Sequence, residues 1–169
     1  MAFCLFDIIS ITIRVRFLLS NSAELASWRK LNTSPVCFGA KGSQFGKFEI
    51  EIGGSVNAVK LVHVSGSVTC NYRAGPDAWS KFGCLKTGNP YTLITTSNDD
   101  ILLPESQQYT YNLPGYHADS TEIAFTDIST PLLLSVGQEL RIWYNEDLRN
   151  TGVGDNDGSS CVDVYAKYM

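Results

Sequence analysis

The sequence predicts an all-β protein: an antiparallel β-sandwich of jelly-roll type with about ten short strands. Three observations carry this. Apolar and polar residues alternate with period two in one segment after another. Clusters of Gly, Ser, Asn and Asp separate those segments at short, regular intervals. The composition, with 14 Gly, 8 Tyr, 8 Phe and only 18% charged residues among 169, suits half-buried strands and is poor for a helical bundle. No βαβ rhythm, internal repeat or low-complexity linker interrupts the chain, and its length fits a single domain over 1–169.

The first expected strand opens the chain. Ile9, Ile11, Ile13, Val15 and Phe17 alternate with Ser10, Thr12, Arg14 and Arg16. A secretory leader wants a basic start and an uninterrupted apolar run, whereas Asp7 stands early and the two arginines late, so no export signal is visible. Residues 21–30 then allow one or two helical turns, centred on 23–30 and capped by Asn21 or Ser22. Phe48, Ile50 and Ile52 alternate with Lys47, Glu49 and Glu51 before Gly53-Gly54 turns the chain. Residues 56–64 form a strong strand, Ser65-Gly66-Ser67 a turn, and 68–72 its return. Residues 91–96, 101–103, 108–113, 121–125, 132–135 and 139–144 follow as strands. The last, 161–168, sets Cys161, Asp163 and Tyr165 on one face and Val162, Val164 and Ala166 on the other. Jelly-roll topology pairs the first strand near this last one.

The five cysteines are Cys4, Cys37, Cys70, Cys84 and Cys161. None lies in a closely spaced pair and there are 2 His, which argues against zinc. Two disulfides are expected instead, as in an oxidising compartment. Cys70 and Cys84 flank a turn-rich segment and make the local pair. Cys37 and Cys161 would then join an early strand to the last, a closure worth on the order of 3–5 kcal/mol. Spacing does not fix the connectivity, and five reduced thiols remain the alternative.

The net charge of −4 hides an asymmetry: residues 1–86 hold ten Lys/Arg against five Asp/Glu, the remainder three against twelve. A nucleic-acid binder shows a basic stripe interleaved with aromatics, and none is present. No apolar run is long enough for a membrane-spanning helix.

The acids concentrate after Trp143-Tyr144. Glu146, Asp147, Asp155, Asn156, Asp157 and Asp163 offer the side-chain oxygens that calcium prefers. The spacing is not that of an EF-hand, since Val153 and Val164 occupy two ligand positions. The alternative is a solvated acidic loop whose Asp and Asn favour turns. Glu146 and Asp147 are adjacent, so along a strand they point apart, which is wrong for a glycosidase pair. His63 and His117 have no nucleophile at a useful spacing and read as structural. Trp143, Tyr144, Tyr109, Tyr111 and Tyr116 are candidate sugar platforms, with cross-strand packing as the alternative. Asn32-Thr33-Ser34 is a glycosylation sequon, weakened by Pro35 directly after it.

Trp28-Arg29-Lys30-Leu31-Asn32-Thr33, Pro35-Val36-Cys37-Phe38-Gly39-Ala40, Lys60-Leu61-Val62-His63, Leu140-Arg141-Ile142-Trp143-Tyr144 with Glu146-Asp147-Leu148, and Asp155-Asn156 with Cys161-Val162-Asp163-Val164-Tyr165 resemble a group of secreted, cysteine-containing proteins of cnidarians and other marine invertebrates. The resemblance spans about residues 25–168. It implies both cysteine pairs and an extracellular setting, and it brings no activity with it.

These readings lead to an expected function. The chain is an extracellular binding module, calcium-supported and lectin-like, with a glycan or an extracellular protein as partner. The alternative is a structural or matrix interaction domain without metal. A glycoside hydrolase using Glu146 or Asp155 ranks below both, because no partner for a nucleophile accompanies the acids.

Overall fold

The structure, a computed structural model, describes residues 27–169. The strand expected over 9–17, the start of the expected helical turn and Cys4 lie outside the described residues.

Among the described residues ten strands form two antiparallel sheets, as the alternation predicts. The strands are β1 (Trp28–Lys30), β2 (Val36–Gly39), β3 (Gly46–Glu49), β4 (Gly54–Thr69), β5 (Thr92–Thr96), β6 (Ile101–Leu103), β7 (Glu122–Phe125), β8 (Leu132–Leu134), β9 (Glu139–Tyr144) and β10 (Asp157–Tyr168). One sheet runs β1-β10-β4-β7, with β2 also on β10 and β8 also on β4; the other runs β3-β9-β5-β6. A five-residue helix, α1 (Asn145–Arg149), follows β9 directly.

The 16-residue β4 and the 12-residue β10 make the central ladder, from Asp157↔Thr69 to Tyr168↔Val56. Val162, Val164 and Ala166 point inward and are fully buried, opposite outward Asp163, Tyr165 and Lys167. They meet Val56, Val59 and Leu61 of β4 and Leu140 and Ile142 of β9 in the shared core. Each buried aliphatic side chain of this kind contributes about 1.5–3 kcal/mol.

Three expected elements come out differently. Ser65-Gly66-Ser67 is not a turn: β4 runs straight through it, with the register shifting beside Cys161. Gly66 takes φ +80°, and a Cβ there would collide with the Ser159 carbonyl, so the glycine serves close strand approach and a bulge. Residues 28–30 are the edge strand β1, not helix, because they complete the open side of β10. Residues 108–113 form no strand. They pass as a loop whose Tyr111 is buried and donates its hydroxyl to the Thr92 carbonyl at 2.6 Å.

Both expected disulfides are present, Cys37–Cys161 and Cys70–Cys84. The first staples β2 to β10 at directly opposed positions. The second ties the end of β4 to the segment that carries a 3-10 turn at Pro76–Ala78.

Candidate functional site

The ends of β2, β4 and β9 and the start of β10 lie at one end of the sandwich. The chain there forms the loops 40–45, 70–79 and 145–156, and α1 sits among them. Its sequence, Asn145-Glu146-Asp147-Leu148-Arg149, puts acids in the first turn and a cation in the last, the order that the helix dipole favours. Asn150 closes it at φ 50° in the left-handed region.

Every polar residue of α1 holds another segment. Arg149 donates to Asn145 Oδ1 at 2.7 Å and to the Gln107 carbonyl at 2.7 Å. The Asn145 side-chain amide donates to the Tyr109 carbonyl, and its backbone N–H to the Tyr91 carbonyl at 2.8 Å. Tyr109 returns its hydroxyl to Glu146 Oε1 at 2.8 Å. The Asp147 carboxylate accepts the Ser43 and Gln44 backbone N–H groups at 3.0 and 2.9 Å. Glu146 and Asp147 thus do diverge, one towards the 105–111 loop and the other towards the 40–45 loop.

Glu146 is the least satisfied of these groups. Its Oε2 is buried and has no hydrogen-bond partner among the described residues, and the same holds for the Tyr144 hydroxyl. Three phenols gather about this carboxylate, with the Tyr91 ring centroid 6.2 Å from that of Tyr109 and 5.9 Å from that of Tyr144. Burial, and secondarily the Glu146 charge, pushes the Tyr144 and Tyr91 hydroxyls above their ordinary range. Burial and the hydrogen bond to Glu146 do the same to Tyr109. All three therefore stay protonated at neutral pH. An unpaired buried oxygen costs about 1–3 kcal/mol, so Glu146 Oε2 is a place where a donor or a cation is favoured. Gly152, at φ +72°, brings the following loop beside this carboxylate: a Cβ on it would stand 3.7 Å from Glu146 Oε1.

The other expected oxygen donors are spread out. The Asp155 carbonyl accepts the Tyr72 N–H at 2.9 Å, and its carboxylate has no partner among the described residues. Asn156 is buried, donates to the Ala40 carbonyl at 3.0 Å and leaves Oδ1 unpartnered among the described residues. Asp157 pairs with Lys41 at 3.4 Å. The Gly158 N–H and then Lys41 hold its carboxyl below the usual carboxylate range. Asp163 lies well along β10, paired with Lys30 at 2.9 Å. As a set of six these residues do not fit one ion, and among the described residues no three His, Cys, Asp or Glu side chains are grouped to hold a metal.

Of the aromatic candidates, only Tyr109 is both exposed and at this end, at 40%. Trp143 is buried on the outer side of β9, where its ring packs 4.8 Å from Phe45 and its N–H reaches Asp99 Oδ1 at 3.0 Å. Tyr144 and Tyr111 are core residues. Tyr116 lies apart, in the turn that also carries His117 and Asp119. Asn32 is buried as well. Its Nδ2 donates to the Ser34 carbonyl and to Asp163 Oδ1, and its Oδ1 accepts the Val164 N–H. The nitrogen that a glycan would occupy is thus already engaged in β10.

Sequence reasoning missed Tyr91, Asn145, Arg149, Ser43 and Gln44. The acid-first, cation-last order of 145–149 was a usable signal for α1; Ser43 and Gln44 act through backbone N–H groups, which carry none, and Tyr91 through its carbonyl and a ring whose place depends on distant contacts.

No family model and no curated protein matches the chain by sequence. Among solved structures, AJLec from the sea anemone Anthopleura japonica, a protein named as a lectin, is similar at 31% identity with a TM-score of 0.76. The match covers 85% of this chain and 98% of that one, and its cnidarian source agrees with the resemblance read from the sequence motifs.

Proposed function

The chain belongs to the same family as AJLec, and from that premise we propose that it is an extracellular, lectin-like module that binds a glycan at the loop end organised by α1. The observation that carries this reading is the Tyr109–Glu146 pair. An exposed aromatic ring suits the apolar face of a sugar, and its hydroxyl leads to a carboxylate with a free oxygen. The two disulfides support the extracellular setting.

Calcium belongs to the proposal in a narrower form than the sequence suggests. Among the described residues Glu146, Asp155 and Asn156 retain side-chain oxygens with no partner, while Asp147, Asp157 and Asp163 are committed within the fold. A cation at this end would take its remaining oxygens from backbone carbonyls and the ligand.

The test is a glycan panel followed by calorimetry with calcium and with chelator. Binding by the native chain that Glu146→Gln weakens at least tenfold supports the reading. No binding to any glycan by folded protein overturns it. Binding that is indifferent to chelator removes the metal and leaves the glycan.

A further inference from the structure

β6 closes one sheet and β7 the other, and a pocket lies where these two strands end. Their last residues, Leu103 and Phe125, are buried and line its floor. Leu113 packs against the core beside them. The pocket holds about 260 Å³. That is below the roughly 300–1,000 Å³ of sites for drug-sized ligands, and it suits a single side chain. Its walls are held from behind. Both Glu105 carboxylate oxygens accept the Ser129 N–H at 3.1 Å, which ties the segment after β6 to the segment after β7. The Gln107 N–H donates to the Pro104 carbonyl at 3.2 Å, and Arg149 holds the Gln107 carbonyl in turn. Tyr111, fixed through Thr92, has its ring centroid 6.2 Å from that of Phe125. The rim is acidic. Glu105 and Asp127 line it, and among the described residues no Lys, Arg or His does. Asp127 is exposed, and its carboxylate has no hydrogen bond or ion pair among the described residues. Ser129 holds the Glu105 carboxyl below the usual carboxylate range. The three cations of residues 87–169 are placed elsewhere: Arg141 on Asp99 and Glu139, Arg149 on Asn145 and Gln107, and Lys167 on the outward face of β10.

We propose that this pocket takes an arginine side chain presented by a protein partner. An arginine lays its aliphatic stem along apolar surface and carries a flat, permanently charged fork of N–H donors at the tip. Leu103, Leu113 and Phe125 offer the surface, and Glu105 and Asp127 offer acceptors from two different segments of chain. A planar fork can bridge two such acceptors, whereas an ammonium group is a point charge. A sugar fits less well. It presents acceptors as well as donors, and ionised carboxylates only accept, which leaves Ser106 and Asn112 as the side chains able to donate at the rim. Arginines seated in pockets are frequent anchors of protein interfaces. The pocket shares no lining residue with the Tyr109–Glu146 pair, so the inference does not depend on the glycan reading.

The test follows the backbone amide signals of the isotope-labelled full chain by NMR during titration with N-acetyl-arginine amide. Signals of Ser106, Asn112, Leu113 and Asp127 should shift and saturate. The neutral isostere N-acetyl-citrulline amide should leave them in place, and N-acetyl-lysine amide should bind more weakly. Asp127→Asn should weaken arginine binding about fivefold, the size of one partly exposed charge pair. It should melt at the native temperature, because that carboxylate holds nothing within the described chain. Shifts confined to the acids of the α1 end overturn the proposal. So does a citrulline or lysine analogue that binds as tightly as the arginine one, or an Asp127→Asn variant that binds as the native chain does. A neutral monosaccharide that shifts the same signals overturns it as well, since the pocket would then be a sugar subsite.

Discussion

The Tyr109 hydroxyl donates to Glu146 Oε1 at 2.8 Å, across 37 positions of chain, and joins the 105–111 loop to α1. Glu146 Oε2 has no such partner among the described residues.

Tyr109→Phe keeps the ring and removes that bond, leaving both carboxylate oxygens without a donor. Chemical denaturation should show a loss of about 1–2 kcal/mol. Glycan affinity should fall less than in Tyr109→Ala, because stacking on the ring survives. Equal losses in the two variants would assign the hydroxyl, and not the ring, to the ligand.

Asp147→Ala removes the acceptor for two backbone N–H groups. Charge-assisted bonds of this kind contribute about 1.5–3 kcal/mol each, so stability should fall by about 2–4 kcal/mol, some strain being relieved by loop relaxation. Hydrogen exchange should quicken at Ser43 and Gln44 before it quickens in β4 or β10. Unchanged protection there would mean that the loop is held by other contacts.

Three carboxyls are held below the usual range: Glu105 by Ser129, Glu139 by Arg141 and Lys47, and Asp157 by the Gly158 N–H and Lys41. A lowered native pKa contributes stability above the unfolded value and loses it as pH falls. The melting temperature should therefore be flat near neutrality and decline below about pH 4. Asp157→Asn should make that acid decline shallower. A steeper decline in the variant would contradict the sign of the shift.

The two disulfides close loops of very different length, with sequence separations of 124 and 14. The chain-entropy relation gives about 5 kcal/mol for the first and about 3 kcal/mol for the second. Replacing Cys37 and Cys161 by Ser should lower the melting temperature more than replacing Cys70 and Cys84. Non-reducing peptide mapping should recover both pairs.

The alternation along 56–64, 139–144 and 161–168 made the central strands legible, because one face of each meets the core and the other does not. The edge strand β1 was not legible, and β2 was legible only as the early strand expected to carry Cys37. They hold three and four residues and owe their conformation to the free sides of β10. The acidic segment was found, but its geometry was not. Whether Asp147 is free or engaged depends on Ser43 and Gln44, over a hundred residues earlier. Trp143 and Tyr144 looked like a platform because both are large and sit beside acids. Consecutive strand residues face opposite ways, and in β9 both faces are covered, one by the core and one by Phe45 and Asp99.

The middle position of β10 has a consequence during synthesis. β1, β2 and β4 all pair with it, yet among the described strands it is the last to be synthesised. Cys37 must wait 124 residues for Cys161, while Cys70 and Cys84 emerge 14 residues apart. The local bridge can close early, and by closing it withdraws two of the three thiols with which Cys37 could mispair, Cys4 being the third. The longer bridge is then left to form last, as the arriving strand zips the sheet together.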